Sequence, residues 1–329
     1  MLKVKDPLFK TIKDFLKSKN VSSQPILLAY SGGCDSKALL YLSLECSLLF
    51  KFPLYVAHID HGWREESCKQ AKMLQKEVEE LGLLFYLKVL HFEDFEKKNL
   101  EQQGREKRLQ FFKELYKKLD CQALLLAHQA EDQAEVVLKR ICEGAHLTSL
   151  RGIQSDMRLE EMRIWRPLLS VSKKTLRSWL EKRSLVPIED PTNENLQFLR
   201  ARMRKEIFPE LSRLFGKEIA GNLCKLGRQA QELDSYFYQK NLMLFTTQKE
   251  DYNKVEWDLN PFLPLDKVEL YYAVKQWLRM QKVILPSSFM DIIMKFIVKS
   301  KIKKELIYKK KLLKIDSGRL ILIKNSIKK

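Results

Sequence analysis

Ser31-Gly32-Gly33-Cys34-Asp35-Ser36 follows a short apolar run and opens a helical stretch. Adjacent glycines let a backbone approach a ligand closely and adopt positive φ. The N–H groups of such a loop, from Ser31 through Cys34 to Ser36, point at an anion with the helix dipole behind them. Ser31 and Ser36 add hydroxyl donors. Asp35 is out of place in an anion site unless a cation such as Mg²⁺ stands between its carboxylate and phosphate oxygens. The alternative is a plain strand-to-helix turn capped by Asp and Ser. Five fixed positions make that coincidence rare, roughly one chain in several thousand. The Walker spacing G-x-x-x-x-G-K-S/T is absent.

A second constellation is His128-Gln129-Ala130-Glu131-Asp132-Gln133-Ala134-Glu135. On a helix His128, Asp132 and Glu135 fall at i, i+4 and i+7, on one face. Two carboxylates there can bind a cationic amine and take its proton. A free lysine ε-amine, with a pKa of about 10.4, needs that step near neutral pH. The alternative is that acidic residues complement a helix N-terminus. His58, Asp60 and His61 are metal ligands by type, but no further ligand cluster accompanies them. A nucleotide-facing loop suits them better, with Arg64 available for phosphate, and a solvated loop is the alternative. Arg105 and Arg108 are i, i+3 neighbours that can clamp a phosphate or form a solvated helix face.

The elements that must position these residues alternate. Apolar runs at 25–30, 54–58, 83–90 and 123–127 read as strands, and 36–49, 66–81, 105–118 and 131–143 read as helices. Strands this apolar imply a parallel sheet covered on both faces, a doubly wound α/β fold whose ligands sit beyond the carboxyl ends of the strands. A helix at 172–182, a loop at 190–193 and an arginine-rich helical stretch at 198–215, interrupted at Pro209, complete a domain of residues 1–215. Residues 216–329 read as a smaller, mostly helical domain, with helices near 218–245, 265–281 and 287–300. It ends in a hairpin around Asp316-Ser317-Gly318.

The 329 residues carry a net charge of +18. That excess suits a polyphosphate partner, because each neutralised phosphate releases counterions. Its alternative is a lysine-rich composition with no such partner. Nine lysines between Lys295 and Lys314, with Phe296 and Tyr308 among them, suit a backbone grip. Cys34, Cys46, Cys68, Cys121, Cys142 and Cys224 form no C-x-x-C pair and read as small hydrophobes. No apolar run reaches the length of a membrane span and no signal segment opens the chain, so a cytoplasmic location is expected.

The SGGCDS loop resembles that of the PP-loop ATP pyrophosphatases, and the whole set of segments resembles the tRNA(Ile)-lysidine synthetase family. HIDHGWR, GREKRLQFF, LLAHQAEDQAEVVLKRICEGA, RPLL, EDPTN and RARMR follow in the family's order over about residues 20–215. Gln129, Glu131 and Ala201 depart from the family's His, Asp and Asn. The resemblance implies an adenine-nucleotide α-hydrolase-like fold. It also implies ATP-dependent adenylation of O2 of the wobble cytidine in the CAU anticodon of an isoleucine tRNA. The L-lysine ε-amine then displaces AMP. On that reading Ser31, Gly32, Gly33, Cys34, Asp35 and Ser36 hold ATP and Mg²⁺, with His58 and His61 near the nucleotide. Asp132 and Glu135 hold and deprotonate lysine. Arg105, Arg108, Arg200, Arg202 and Arg204 meet phosphates of tRNA or AMP, and His128 either binds phosphate or moves a proton. DNA and membranes are not expected partners. The competing readings are a tRNA thiolase of the same superfamily and a non-catalytic nucleotide- or RNA-binding protein.

Overall fold

The computed structural model describes residues 6–60, 62, 65–90, 100–189, 196–262, 265–297, 303–308 and 311–323. Contacts divide the chain into two compact units, Met1–Val136 with Ile153–Cys224, and Val137–Gly152 with Lys225–Lys329.

The first unit begins with α1 (Pro7–Ser18), a helix the sequence reading had not marked. Asp6 caps it by accepting from the N–H groups of Leu8 and Phe9, and Leu8, Phe9, Ile12 and Leu16 bury one face. Next come β1 (Ile26–Ala29), α2 (Cys34–Phe50), β2 (Leu54–Asp60), α3 (Glu65–Glu80), β3 (Leu84–Val89), α4 (Leu100–Lys118), β4 (Ala123–Leu125) and α5 (Ala130–Cys142). A hairpin of β5 (Asp156–Leu159) and β6 (Met162–Trp165) follows, then α6 (Lys173–Glu181), α7 (Leu199–Arg202) and α8 (Phe208–Phe215).

The six strands order as β3-β2-β1-β4-β6-β5. All pair in parallel except β5, which runs antiparallel to β6 at the edge. Both faces are covered. Ile26 and Leu28 of β1 enter one apolar cluster with residues of α1, α2 and α6, while Leu27 enters another with Phe111 and Phe112 of α4. These three side chains are fully buried, and each such burial contributes about 1.5–3 kcal/mol. The order reverses at β1, which lies between β2 and β4. The crevice beyond the carboxyl ends of β1 and β4 is therefore the natural ligand position.

The expected break at Pro209 is absorbed rather than made. A π-helical turn over Met203–Ile207 links α7 to α8. Proline lacks the N–H that would bond the preceding turn, and its ring crowds the carbonyl four residues back, so the turn before it widens.

In the second unit α9 (Ile219–Asn241), β7 (Gln248–Glu250), β8 (Lys254–Asp258), α10 (Lys267–Met280), α11 (Ser287–Ile297), β9 (Lys304–Tyr308), β10 (Lys311–Asp316) and β11 (Arg319–Ile323) follow in order. The expected hairpin forms from β10 and β11. Ser317 and Gly318 both adopt positive φ, 48° and 78°, as a type I′ turn requires. The hairpin is part of a five-stranded antiparallel sheet, β7-β8-β11-β10-β9. That sheet buries Trp257, Leu313, Ile315, Leu320 and Leu322 with Trp277 of α10. Among the described residues no helix is long and apolar enough to cross a membrane.

Candidate active site

The chain leaves β1 and turns at Ser31-Gly32-Gly33 into α2, with Gly33 as its N-cap. Gly32 has φ +76°, and a Cβ there would lie 2.7 Å from Leu74 Cδ2 and 3.0 Å from Ile188 Cδ1. The positive φ favours glycine, and a Cβ there would also displace the Leu74 and Ile188 methyls. The Ile188 N–H donates to Gly32 O at 2.9 Å. Ser36 Oγ donates to Gly33 O at 3.0 Å, accepts from the Ser31 N–H at 3.3 Å and lies 3.0 Å from Ser31 Oγ. No side chain caps α2, so the N–H groups of its first turn are left for an anion.

Asp35, one residue into α2, has a buried Oδ1 with no hydrogen-bond partner. Burial pushes its carboxyl up to about 6; Lys173 and Arg204 oppose that rise, and Asp132 and Glu131 add to it. A buried acceptor on an anion-binding turn fits a metal ion. Among the described residues no three His, Cys, Asp or Glu side chains gather as a metal-binding group.

The same electrostatic neighbourhood joins the turn after β1 to the start of α5. The helix begins at Ala130, not at His128. Gln129 Oε1 accepts from the Glu131 N–H at 2.6 Å and Asp132 Oδ2 from the Gln129 N–H at 2.9 Å, a reciprocal cap that fixes the start. His128 therefore lies in the strand-to-helix turn, a correction to its placement on one helical face with Asp132 and Glu135. Glu131 serves α6, accepting from the Lys173 N–H at 3.0 and 3.1 Å.

Arg204 Nη2 donates to Asp132 Oδ1 at 2.7 Å, and Arg204 Nε donates to Glu135 Oε1. Arg200 Nε lies 3.6 Å from Glu135 Oε2. Glu135 is 2% exposed, and burial raises its carboxyl above the ordinary value even though Arg204 pulls it down. Burial alone would lower Arg204, but its bond to Glu135 and the nearby carboxylates raise it overall.

Arg108, Arg166 and Arg200 act on His128, and Arg105 acts on Arg166. Arg166 Nε donates to His128 Nδ1 at 3.2 Å, and burial then Arg105 push Arg166 down to about 10. Desolvation, then Arg105 and Arg200, lower Arg108. Neither Arg166 nor Lys173 was marked from the sequence. Their signals were the RPLL segment and the basic pair after Ser172, neither of which specifies an active-site contact by spacing.

The remaining predicted residues scatter. His58 Nδ1 lies 2.8 Å from Tyr30 O and its ring stacks on Phe85, which ties it between β1 and β3. Asp60 Oδ1 accepts from the Gly62 N–H at 2.9 Å. His61 and Arg64 lie outside the described residues. Burial, then Asp35, push the Cys34 thiol up to about 11, so it is not a nucleophile near neutral pH. Arg202 is exposed.

Three buried side-chain atoms on these segments have no hydrogen-bond partner. Asp35 Oδ1, Gln129 Nε2 and Glu135 Oε2 are all of this kind. Burying such groups costs free energy unless something arrives to bond them.

A family described as a PP-loop domain matches residues 5–211. The chain is 41% identical over 237 residues to the tRNA(Ile)-lysidine synthase of Chlamydia pneumoniae, covering 72% of this chain and 73% of that one. It is 40% identical over 226 residues to that of Protochlamydia amoebophila, covering 69% of this chain and 49% of the relative. The U34-tRNA thiolase NcsA of Methanococcus maripaludis shares the fold, with a TM-score of 0.56 over 69% of this chain and 78% of the thiolase at 16% identity. With a PP-loop domain over residues 5–211 and this identity over most of the chain, the protein belongs to the tRNA(Ile)-lysidine synthase family.

Proposed function

We propose that the chain adenylates O2 of the wobble cytidine in the CAU anticodon of an isoleucine tRNA with ATP. It then directs the ε-amine of L-lysine onto C2, releasing AMP. The observation that carries this reading is that Asp132 and Glu135, which share the Arg204 guanidinium, lie in one electrostatic neighbourhood with Asp35, whose buried Oδ1 has no hydrogen-bond partner.

Ser31, Gly32, Gly33, Cys34, Ser36 and the open start of α2 bind the pyrophosphate that leaves. A magnesium ion held by Asp35 supplies charge neutralisation at the phosphates when bound. Asp132 and Glu135 hold the lysine ammonium. Its proton passes to one of these carboxylates before C–N bond formation, and the raised Glu135 is suited to accept it. Adenylation turns a poor leaving oxygen into AMP, so the attack needs no further acid at that oxygen. Arg105, Arg108 and Arg200 face the phosphate of the adenylate, and His58 and His61 belong to the nucleotide side. Catalysis belongs to the unit of residues 1–136 and 153–224, close to the expected domain of 1–215, and the unit of 137–152 and 225–329 grips the tRNA backbone in the cytoplasm.

The test incubates the chain with ATP, radiolabelled lysine and unmodified CAU-anticodon tRNA. Label on the RNA with one AMP released per lysine is expected. Label-free RNA, or AMP release that depends on a sulfur donor rather than lysine, overturns the reading.

A further inference from the structure

His128 and Arg166 stand just past the ends of neighbouring parallel strands, β4 and β6, whose register pairs Leu125 with Trp165. Arg166 is itself held fast. Its Nη1 donates to Gln154 O at 2.8 Å, its N–H donates to Ser155 O at 2.7 Å, and it is 8% exposed. Its Nε donates to His128 Nδ1 at 3.2 Å. A guanidinium nitrogen only donates, so Nδ1 must be the accepting, unprotonated nitrogen, and the ring proton resides on Nε2. Protonating Nδ1 would set two N–H groups against each other.

The charged groups facing His128 are Asp132 from α5, Arg166 after β6, Arg200 from α7 and Arg108 from α4. Burial is the largest influence and holds the ring down to about 4; Asp132 opposes it and the three arginines reinforce it. A neutral imidazole with its proton on Nε2, set among cations, is a donor suited to an anionic oxygen.

We propose that Arg166 is a positioning residue that fixes His128 as the Nε2–H tautomer, so that His128 serves as a hydrogen-bond donor to the adenylate phosphoryl oxygen and not as the base that deprotonates lysine. The inference rests on the proposed reaction for the identity of the acceptor, but the state of the ring is independent of it.

The test uses the full chain labelled with ¹⁵N-histidine. The His128 signals are assigned by their loss in His128→Gln. In the wild type the pair of nitrogen shifts should report the Nε2–H tautomer, unchanged between about pH 5.5 and 8.5. Arg166→Met should mix the tautomers or bring a titration into that range. In the lysine-incorporation assay His128→Gln keeps an N–H donor but can accept no proton, and should stay within about tenfold of wild type. His128→Ala should lose about a hundredfold or more.

A proton on Nδ1 in the wild type, or a titration near 6.5, overturns the proposal. So does a His128→Gln enzyme as inactive as His128→Ala. The wild-type spectrum decides the tautomer even if Arg166→Met does not fold. If the tautomer is as stated and wild type places no lysine on RNA, the reaction fails and the Arg166–His128 relationship stands.

Discussion

Arg204 Nη2 donates to Asp132 Oδ1 at 2.7 Å across 72 residues of sequence, so a guanidinium of the chain itself occupies the carboxylates assigned to the lysine ammonium. Glu135, 2% exposed, shares that guanidinium. Removing the cation alone leaves a buried carboxylate uncompensated. Arg204→Met should therefore cost about 3 kcal/mol in urea unfolding. The double variant Arg204→Met/Glu135→Gln should recover at least about half of that, because the charge needing a partner is gone. Equal losses in both variants would dismiss the pair as a source of stability.

The two carboxylates also predict a split in kinetics. Asp132→Asn and Glu135→Gln should each raise the lysine KM at least about tenfold while leaving the ATP KM within about twofold, since the charge they supply meets the amine. Initial rates over a lysine series at saturating ATP and tRNA measure this. A change in the ATP KM instead would move both residues to the nucleotide.

Gly32→Ala meets two obstacles, a φ of +76° and a Cβ 2.7 Å from Leu74 Cδ2. The backbone strain is about 1–2 kcal/mol. Leu74→Ala in the same chain relieves the collision but not the strain. Nucleotide binding by calorimetry should fall at least about tenfold in Gly32→Ala and recover only in part in the double variant. Full recovery would assign the whole effect to the leucine.

Asp35→Ala removes the buried unpartnered Oδ1. Lysine incorporation should be abolished, while tRNA binding in filter assays stays within about twofold, because the backbone grip does not use this carboxylate. Full incorporation by the variant would exclude Asp35 as a required metal holder.

Lys275 donates to Thr148 Oγ1 and Ser149 Oγ at 2.9 and 2.8 Å. Burial first, then Arg279, push its amine down to about 7, against the pull of Asp234. Its folded pKa lies below the unfolded value, so between about pH 7 and 10.5 the unfolded chain binds this proton more tightly. Stability should rise with pH across that window, on the order of a few kcal/mol. Lys275→Met should flatten the rise in denaturant titrations run at pH 7 and pH 10. An unchanged slope would mean that the lysine keeps its ordinary pKa.

Binding of tRNA should weaken steeply with salt, and the lysines near the C-terminus should contribute unequally. Lys314 already pairs with Glu305 at 2.6 Å, whereas Lys304 lies over the Phe296 ring at 5.6 Å. Lys304→Gln should reduce the log–log salt slope by about 0.7–0.9, and Lys314→Gln by less. A flat salt dependence in the wild type would remove the backbone grip altogether.

The glycine turn after β1 was legible in the residues alone, because Gly32, Gly33 and Ser36 act through local backbone geometry and a helix start. The sequence by itself also determined the alternation of strands and helices, since apolar runs such as Ile26–Ala29 and helical periodicity are local signals. Helix α1 carried local signals too, the Asp6 cap before Pro7 and the apolar face of Leu8, Phe9, Ile12 and Leu16, though the sequence reading did not mark them. Two features had none: the β5–β6 hairpin depends on pairing at a sheet edge, and the π turn on how the chain accommodates Pro209. Only the tertiary structure set β4 beside β1, Ile188 against Gly32, Arg166 on His128 and Arg204 on Asp132. These partners are tens of residues apart, and strand order and helix packing bring them together. Local periodicity carries no record of that order, so the residues that compose the site were visible one segment at a time and their charge balance was not.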